Sequence, residues 1–260
     1  MNNPSNDNPL KPSGLGNEPA ADGLPAFDRR LGGLLVRKPC WTLSFRGKLL
    51  ALGMMCGLLL LTVRFIHPFL AVTDPVPADV LIIEGWVPAD TMREAAAEFR
   101  LGGYHHLILL RPILDVADKY QSGRYTGDYM ANLLIEDGVP PAEETTLFPV
   151  VAQKDRTYHS ALVARQWLAE HNLDVKSLDL ATLGPHARRS RLLYEQAFGG
   201  QARIGIIALA NREYDPNHWW RSSEGVREVI SEAIAYAYAK FIFWPAAPKT
   251  ESSGTAHEYF

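Results

Sequence analysis

The chain has 260 residues, of which 47% are hydrophobic and 21% are charged, and its formal net charge is −3. These proportions are ordinary for a globular protein, and the slight negative charge disfavours a nucleic-acid binder because it gives no extended basic surface. The two cysteines, Cys40 and Cys56, both precede residue 75. The rest of the chain therefore has neither a disulfide nor a cysteine-based zinc site.

The N-terminal part of the chain changes composition at residue 29. Residues 1–28 are dominated by Asn, Pro, Ser, Gly and Asp without an apolar period, which predicts a disordered tail. Residues 29–48 form a basic segment, with Arg29, Arg30, Arg37, Lys38, Arg46 and Lys48. We expect this segment to lie beside a membrane.

An apolar run follows the basic segment. Leu49–Val63 carries no charge, and the run extends to about Val72 if the Arg64 side chain reaches toward the membrane interface. A signal peptide is disfavoured because the run begins far from the N-terminus, and a buried soluble helix would need apolar neighbours on every side. The sequence therefore predicts one transmembrane helix over residues 49–72.

The charges on either side of this run predict its orientation. Basic residues lie before it, whereas Asp74, Asp79 and Glu84 follow it. The positive-inside rule then places the N-terminus in the cytoplasm and the main domain in the extracytoplasmic, periplasmic space. We expect a single-pass protein of the cytoplasmic (inner) membrane.

Residues 75–245 alternate between apolar runs and helical patterns. The runs are "ADVLIIEGW", "HHLILLR", "ETTLFPV", "SLDLATL" and "ARIGIIALA". Nearly continuous apolar strands that alternate with helices are typical of a parallel sheet covered on both faces. The pattern predicts an α/β, Rossmann-like, doubly wound domain of about five strands. Residues 246–260 are polar and predict a flexible tail.

Polar residues follow the ends of these strands. Ligands of open parallel sheets bind at the carboxyl ends of the strands, so we expect these residues to meet in one cleft. The candidates are Glu84 and Gly85 after the first strand, Arg111 after the second, Arg156, Thr157 and Ser160 after the third, and Gly184, His186 and Arg189 after the fourth. His186 and Glu84 are the predicted catalytic pair, and the others are predicted to bind the ligand.

The stretch "LATLGPHARRSRLLYEQAFG" suggests what that ligand is. It crowds Arg188, Arg189 and Arg191 into the start of a helix, where the macrodipole disfavours positive charge. An anion such as a phosphate would explain this arrangement. We expect Arg189 to hold the anion, and Arg188 and Arg191 to lie on a solvated face. Two roles stay open for Glu84, a general base or a structural partner of Arg189, and Thr157 is predicted to be an N-cap.

Several common site signatures are absent from the sequence. It has no G-x-G-x-x-G, Walker or H-E-x-x-H motif. His105 and His106 are adjacent on a predicted strand, so their side chains would point to opposite faces, and we expect no metal site there. The sequence names no cofactor.

Three patches resemble the ElyC/SanA/YdcF family of membrane-anchored envelope proteins. "ADVLIIEGW" resembles the opening strand of the family, and "RTYHSA" resembles its Thr-x-x-Asn-Ala helix start, with Ser160 in place of Asn. "TLGPHARRS" resembles its Thr-Ser-x-x-His-x-x-Arg-Ala turn, with His186 and Arg189 matching. The family's Ser-Gly-Gly turn after the second strand is replaced here by "LLRPILD".

The resemblance implies a role in cell-envelope or peptidoglycan biogenesis or integrity. Expected partners are a phosphorylated small molecule or lipid carrier, the membrane and envelope-biogenesis proteins. Transfer or hydrolysis at the phosphate is one reading, and a non-catalytic sensing or scaffolding module is another. A third is a nucleotide-like or S-adenosylmethionine-like ligand, as suggested for a soluble branch of the family, but an extracytoplasmic domain disfavours this reading.

Overall fold

The computed structural model describes residues 29–30, 35–36, 43–111, 126–147 and 154–245. The predicted tails over 1–28 and 246–260 lie outside these residues. The chain divides into two units, Met1–Gly53 and Met54–Phe260. In the first unit, within the predicted basic segment, β1 (Arg29–Arg30) pairs with β2 (Leu35–Val36) in antiparallel fashion.

Helix α1 (Phe45–Leu70) corresponds to the predicted membrane span. Its 26 residues extend for about 39 Å at ~1.5 Å per residue, which exceeds the ~30 Å of a bilayer's hydrocarbon core. Its most apolar window has a mean hydropathy of 2.2, and none of that window is buried against the rest of the protein. Among the described residues it is the one helix long and apolar enough to cross a membrane.

The last turns of α1 belong to the second unit and pack within it. The Trp219 indole Nε1 donates a hydrogen bond to the Val63 carbonyl at 3.0 Å. Leu70 is fully buried in a small apolar cluster with Tyr214 and Val229. The end of the helix is therefore part of the folded domain.

A five-stranded sheet with helices on both faces forms that domain. All neighbouring strands are parallel, and their order is β5-β4-β3-β6-β7. The strands are β3 (Val80–Glu84), β4 (His106–Leu110), β5 (Glu144–Leu147), β6 (Ser177–Leu183) and β7 (Arg203–Leu209). The helices are α2 (Ala89–Gly102), α3 (Thr126–Glu136), α4 (Arg156–Glu170), α5 (Ala187–Phe198) and α6 (Ser223–Phe241). The predicted Rossmann-like α/β class is confirmed.

Alternating side chains of the central strands fill two cores. Ile82 and Leu180 lie in the core covered by α4 and α5, whereas Leu81 and Ala181 lie in the core covered by α2 and α3. Every residue of β3 is consequently buried. This explains why its sequence is one continuous apolar run rather than an alternating pattern.

The strand order has a reversal at β3. The chain builds outward from β3 through β4 to β5, then returns to the other side of β3 with β6 and β7. In open α/β sheets, the carboxyl ends of the strands at such a reversal form a crevice. Here the crevice lies between the ends of β3 and β6.

The amino end of the sheet holds a buried carboxyl group, Asp179 of β6. Its Oδ2 accepts a hydrogen bond from the Tyr104 hydroxyl at 2.7 Å, and its Oδ1 accepts one from the Val76 backbone at 2.9 Å. A Cβ atom on Gly205 would overlap Oδ1 and would lie 2.8 Å from the Val76 nitrogen. Asp179 therefore fixes the segment that connects α1 to β3.

Candidate functional site

A cavity of about 480 Å³ lies at the carboxyl ends of the central strands. The residues that line it come from five places: the end of β3, the end of β4, the start of α4, the β6–α5 turn and α6. They are Glu84, Trp86, Leu110, Asp155, Arg156, Thr157, Ser160, His186, Arg189 and Glu232. Six of the predicted site residues thus line one cavity: Glu84, Arg156, Thr157, Ser160, His186 and Arg189.

Glu84 is the last residue of β3 and is 3% exposed. Its Oε2 accepts hydrogen bonds from the hydroxyls of Thr182 and Ser190. The same oxygen lies 3.3 Å from His186 Nε2. Burial alone would raise the pKa of Glu84, but the positive charge of His186 and the hydrogen bond from Thr182 outweigh burial and lower it. Glu84 is therefore a buried carboxylate rather than a carboxylic acid at neutral pH.

His186 lies between two carboxylates. It ends a short 3-10 turn, Gly184–His186, that follows β6, and its Nδ1 lies 3.0 Å from Glu232 Oε1. Burial lowers the pKa of His186, but the charge of Glu84 and the hydrogen bond to Glu232 raise it to about 9. The imidazole is therefore protonated at neutral pH. Among the described residues its Nε2 has no aligned hydrogen-bond partner, because the approach to Glu84 is an ion pair only.

Glu232 joins this group from the middle of α6. Arg189 donates to both of its oxygens, from Nε at 2.8 Å and from Nη2 at 3.0 Å. Burial would raise the pKa of Glu232, but its bonds with His186 and Arg189 lower it to about 2. The cluster of Glu84, His186, Arg189 and Glu232 thus holds two negative and two positive charges, and it is neutral as a whole.

The arginines at the start of α5 have partners within the protein. Arg191 donates to Asp74 at 2.8 Å and to Glu195 at 3.0 Å. Arg188 donates to the Phe69 carbonyl, and its guanidinium lies 4.0 Å from the centre of the Phe69 ring. Both side chains are half-buried, and on the solvated face that the sequence suggested they have partners from within the protein. One role left open for Glu84 was a structural pair with Arg189. Arg189 instead bonds Glu232, and the cation that pairs with Glu84 is His186.

The start of α4 forms the mouth of the cavity. Asp155 precedes the helix with a positive φ of 53°, and among the described residues no side chain caps the first turn. Thr157 lies inside that turn, so the prediction that it is the N-cap is wrong. The Arg156 side chain is exposed, whereas Ser160 is buried one turn further along. Unsatisfied N–H groups at a helix start attract anions.

Three predicted ligand-binding residues are not among those that line the cavity. The Gly85 N–H bonds the Leu110 carbonyl at 2.8 Å, and a Cβ atom on Gly85 would lie 2.5 Å from Arg111 Cγ. The stem of Arg111 therefore packs over Gly85. Gly184, with a φ of +39°, faces Asn211 and Glu228. The roles predicted for Gly85, Arg111 and Gly184 stay predictions.

A second polar group lies one helical turn away from Glu232. Asn211 Nδ2 donates to Glu228 Oε2, and Tyr214 lies beside the same turn of the chain. Burial raises the pKa of Glu228 to about 7, and the negative charge of Glu232 contributes to this shift. Glu228 is therefore half ionised near neutral pH.

Sequence reasoning did not assign a role to Glu232 or Trp86. Glu232 lies near the middle of the long closing helix, which also carries Glu224 and Glu228, so the local sequence does not distinguish it from other acids of that helix. Trp86 follows Glu84-Gly85 directly, and its ring lies 5.0 Å from that of His186 at 82°. The cavity therefore has an aromatic wall beside its imidazole.

The arrangement provides an acid, two carboxylates and a helix start around one cavity. A protonated His186 can donate a proton, and a neighbouring carboxylate can accept one. The described residues contain no group of three or more His, Cys, Asp or Glu side chains placed to hold a metal ion. No protein-family model matches the chain, and a search of curated proteins finds no significant match.

Proposed function

We propose that this chain is a single-pass membrane protein whose α/β domain binds a phosphorylated, anionic intermediate of the cell envelope. The observation that carries the proposal is the His186 imidazole, which is buried between Glu84 and Glu232 in the wall of a cavity that the uncapped start of α4 also lines. A proton donor and a helix start that face one space suit a phosphate ester.

The charges of the lining residues sum to zero, so the preference for an anion comes from the start of α4. The four-charge cluster is itself neutral. Arg156 adds a positive charge at the mouth, and the Thr157 hydroxyl adds a donor. Asp155 is the opposing charge at the same place. A phosphate can accept bonds from Arg156, Thr157 and the first backbone N–H groups of α4.

The membrane part of the proposal rests on α1 and on the flanking charges. Basic residues precede α1 and acidic residues follow it, so we place the N-terminus in the cytoplasm and the domain outside the inner membrane. The envelope role, with a lipid carrier and envelope-biogenesis proteins as partners, rests on the resemblance to the ElyC/SanA/YdcF family. A reporter fused after Phe260 should give an extracytoplasmic signal, and a cytoplasmic signal would contradict this topology.

Binding is tested with the full chain in lipid nanodiscs. We expect calorimetry to detect inorganic phosphate, pyrophosphate and farnesyl pyrophosphate. Arg156→Ala should weaken each by about tenfold, which corresponds to ~1.4 kcal/mol. Arg203→Ala is the matched control, because Arg203 is exposed at the amino end of β7, away from the cavity. No binding of any of these anions, or equal losses in both variants, would refute the proposal.

The same material separates an enzyme from a sensor. If the domain hydrolyses or transfers the phosphate, phosphate release from farnesyl pyrophosphate should be lost in His186→Asn, because the proton donor to the leaving oxygen is removed. Binding should persist in that variant, since Arg156 and the start of α4 remain. Binding by the wild-type protein without release would instead support the non-catalytic sensing or scaffolding module.

A further inference from the structure

We infer that the ligand of this cavity carries a carbohydrate ring attached to its phosphate, and that the ring packs on Trp86. This inference rests on the proposed function, because it uses the same cavity and takes the phosphate end as given. It adds the chemical class of the rest of the ligand.

The size of the cavity calls for more than a phosphate. Its volume of about 480 Å³ lies within the ~300–1,000 Å³ range of pockets that enclose whole small organic molecules. A phosphate at the start of α4 would fill only a small part of it. The rest of the lining includes His186 and the two apolar lining residues, Trp86 and Leu110.

Trp86 is held in place and yet is open to solvent. Its ring packs edge to face on His186 at 5.0 Å, and the flanking Gly85 and Val87 are buried. The Trp86 side chain nevertheless remains 42% exposed at the cavity wall. Covering such a large, fixed and exposed aromatic ring with a ligand removes apolar surface from water, which favours binding.

The rest of the lining is polar, which distinguishes a sugar from a nucleobase. Eight of the ten lining residues are charged or carry a hydroxyl or imidazole. A pyranose ring has one apolar C–H face for an indole and a rim of hydroxyls for carboxylates such as Asp155 and for hydroxyls such as Ser160. A nucleobase stacks best between two apolar faces, and the described lining offers one apolar aromatic ring, Trp86, beside the polar His186 imidazole.

The shared lining bears on how the sugar is joined to the phosphate. Trp86 contacts His186, and His186 shares the cavity with Arg156 and Thr157 at the start of α4. A ring on Trp86 and a phosphate at α4 therefore occupy neighbouring parts of one space. A glycosyl phosphate or glycosyl pyrophosphate, in which the sugar carbon bonds the phosphate oxygen directly, fits this arrangement.

The test compares four probes on the full chain in nanodiscs: inorganic phosphate, glycerol 3-phosphate, glucose 1-phosphate and adenosine 5′-monophosphate. We expect calorimetry to show glucose 1-phosphate binding about tenfold more tightly than inorganic phosphate. Trp86→Ala should remove this advantage and leave the affinity for inorganic phosphate unchanged. Trp86→Phe, which keeps an aromatic face, should retain part of it.

Trp220 provides the matched control. It is 40% exposed, close to the value for Trp86, but it is not among the residues that line the cavity. Trp220→Ala should therefore leave all four affinities unchanged. Thermal unfolding followed by circular dichroism checks that each variant is folded.

The outcomes separate this inference from the function on which it rests. If inorganic phosphate binds but glucose 1-phosphate has no advantage, or keeps its advantage in Trp86→Ala, the inference is overturned and the proposed function stands. Tighter binding of adenosine 5′-monophosphate than of glucose 1-phosphate also overturns it, in favour of a nucleotide-like ligand. If no anion binds, both fail.

Discussion

Glu84 and Asp179 are buried carboxyl groups of the same sheet, but they lie toward opposite ends of it. Asp179, near the amino end of β6, accepts bonds from two neutral donors, the Tyr104 hydroxyl and the Val76 N–H. Burial raises its pKa, and these bonds do not reverse the shift. Glu84, at the carboxyl end of β3, faces the His186 cation, and its pKa is lowered.

The comparison shows that the partner, and not burial, decides what a buried acid becomes. Two groups with exposures of 3% and 0% shift in opposite directions, because the His186 cation lies beside Glu84, whereas the hydrogen-bond donors to Asp179 are neutral. The neutral donors make Asp179 a fixed tie between segments of the chain. The ion pair of Glu84 with His186 lines a cavity and makes it a candidate for proton transfer.

The largest effect is expected at the amino end, from Gly205→Ala. The added methyl group would overlap Asp179 Oδ1 and crowd the Val76 nitrogen, so the carboxyl group must leave its site. We expect a loss of about 3 kcal/mol in the free energy of unfolding. Chemical unfolding of the full chain in detergent micelles measures it.

A double variant tests the cause of that loss. Asp179→Ala alone should destabilise the protein, because it leaves two buried donors without an acceptor. The loss of stability in the double variant Asp179→Ala/Gly205→Ala should be smaller than the sum of the losses in the two single variants, since the overlap is gone. Fully additive losses would show that Asp179 is not what Gly205 accommodates.

A smaller loss is expected at the carboxyl end, from Glu232→Gln. The change leaves two cations, His186 and Arg189, facing Glu84 alone. Breaking a fully buried ion pair costs about 3–5 kcal/mol. We expect about 2 kcal/mol here, because the side chains of Arg189 and Glu232 are 20% and 15% exposed and partly screened by solvent.

The pH dependence of stability identifies this loss as electrostatic. The pKa of Glu232 falls from 4.5 to about 2 on folding, so its contribution is present above pH 4.5 and is lost as the pH falls toward 2. Glu232→Gln should therefore differ most from wild type near neutral pH and least at low pH. Glu195→Gln, in an exposed pair with Arg191, is the control and should change little. A constant difference from pH 2 to 7 would contradict the electrostatic explanation.

The fold class and part of the candidate site could be predicted from the sequence. Apolar runs such as that of β3, and the rule that ligands gather at carboxyl strand ends, predicted that Glu84 and His186 would meet. These inferences need only local patterns and the handedness of crossovers. They do not depend on how side chains pack between distant helices.

The partners of those residues could not be predicted in the same way. Glu232 lies 46 residues from His186 along the chain, and Tyr104 lies 75 residues from Asp179. Each pair depends on how a helix or a turn packs across the sheet, which no short motif encodes. For the same reason, the sequence left the charges of the α5 arginines without internal partners and suggested a bound anion for them.

The smallest effect on stability is expected from Glu228→Gln. It tests whether a buried acid near the carboxyl end of the sheet has a raised pKa when its hydrogen-bond partner is neutral. Glu228 lies near the carboxyl end, as Glu84 does, but Asn211 is a neutral donor and burial raises the pKa of Glu228 from 4.5 to about 7. The folded state then binds this proton more tightly than the unfolded state, so stability falls as the pH rises from 4.5 to 7 and stays level above it. Glu228→Gln should remove this fall, so it should be more stable relative to wild type at pH 8 than at pH 4. Thermal unfolding across this range measures the difference. The same pH profile in both proteins would mean that Glu228 titrates normally, and that the charge of the nearby His186 offsets the effect of burial.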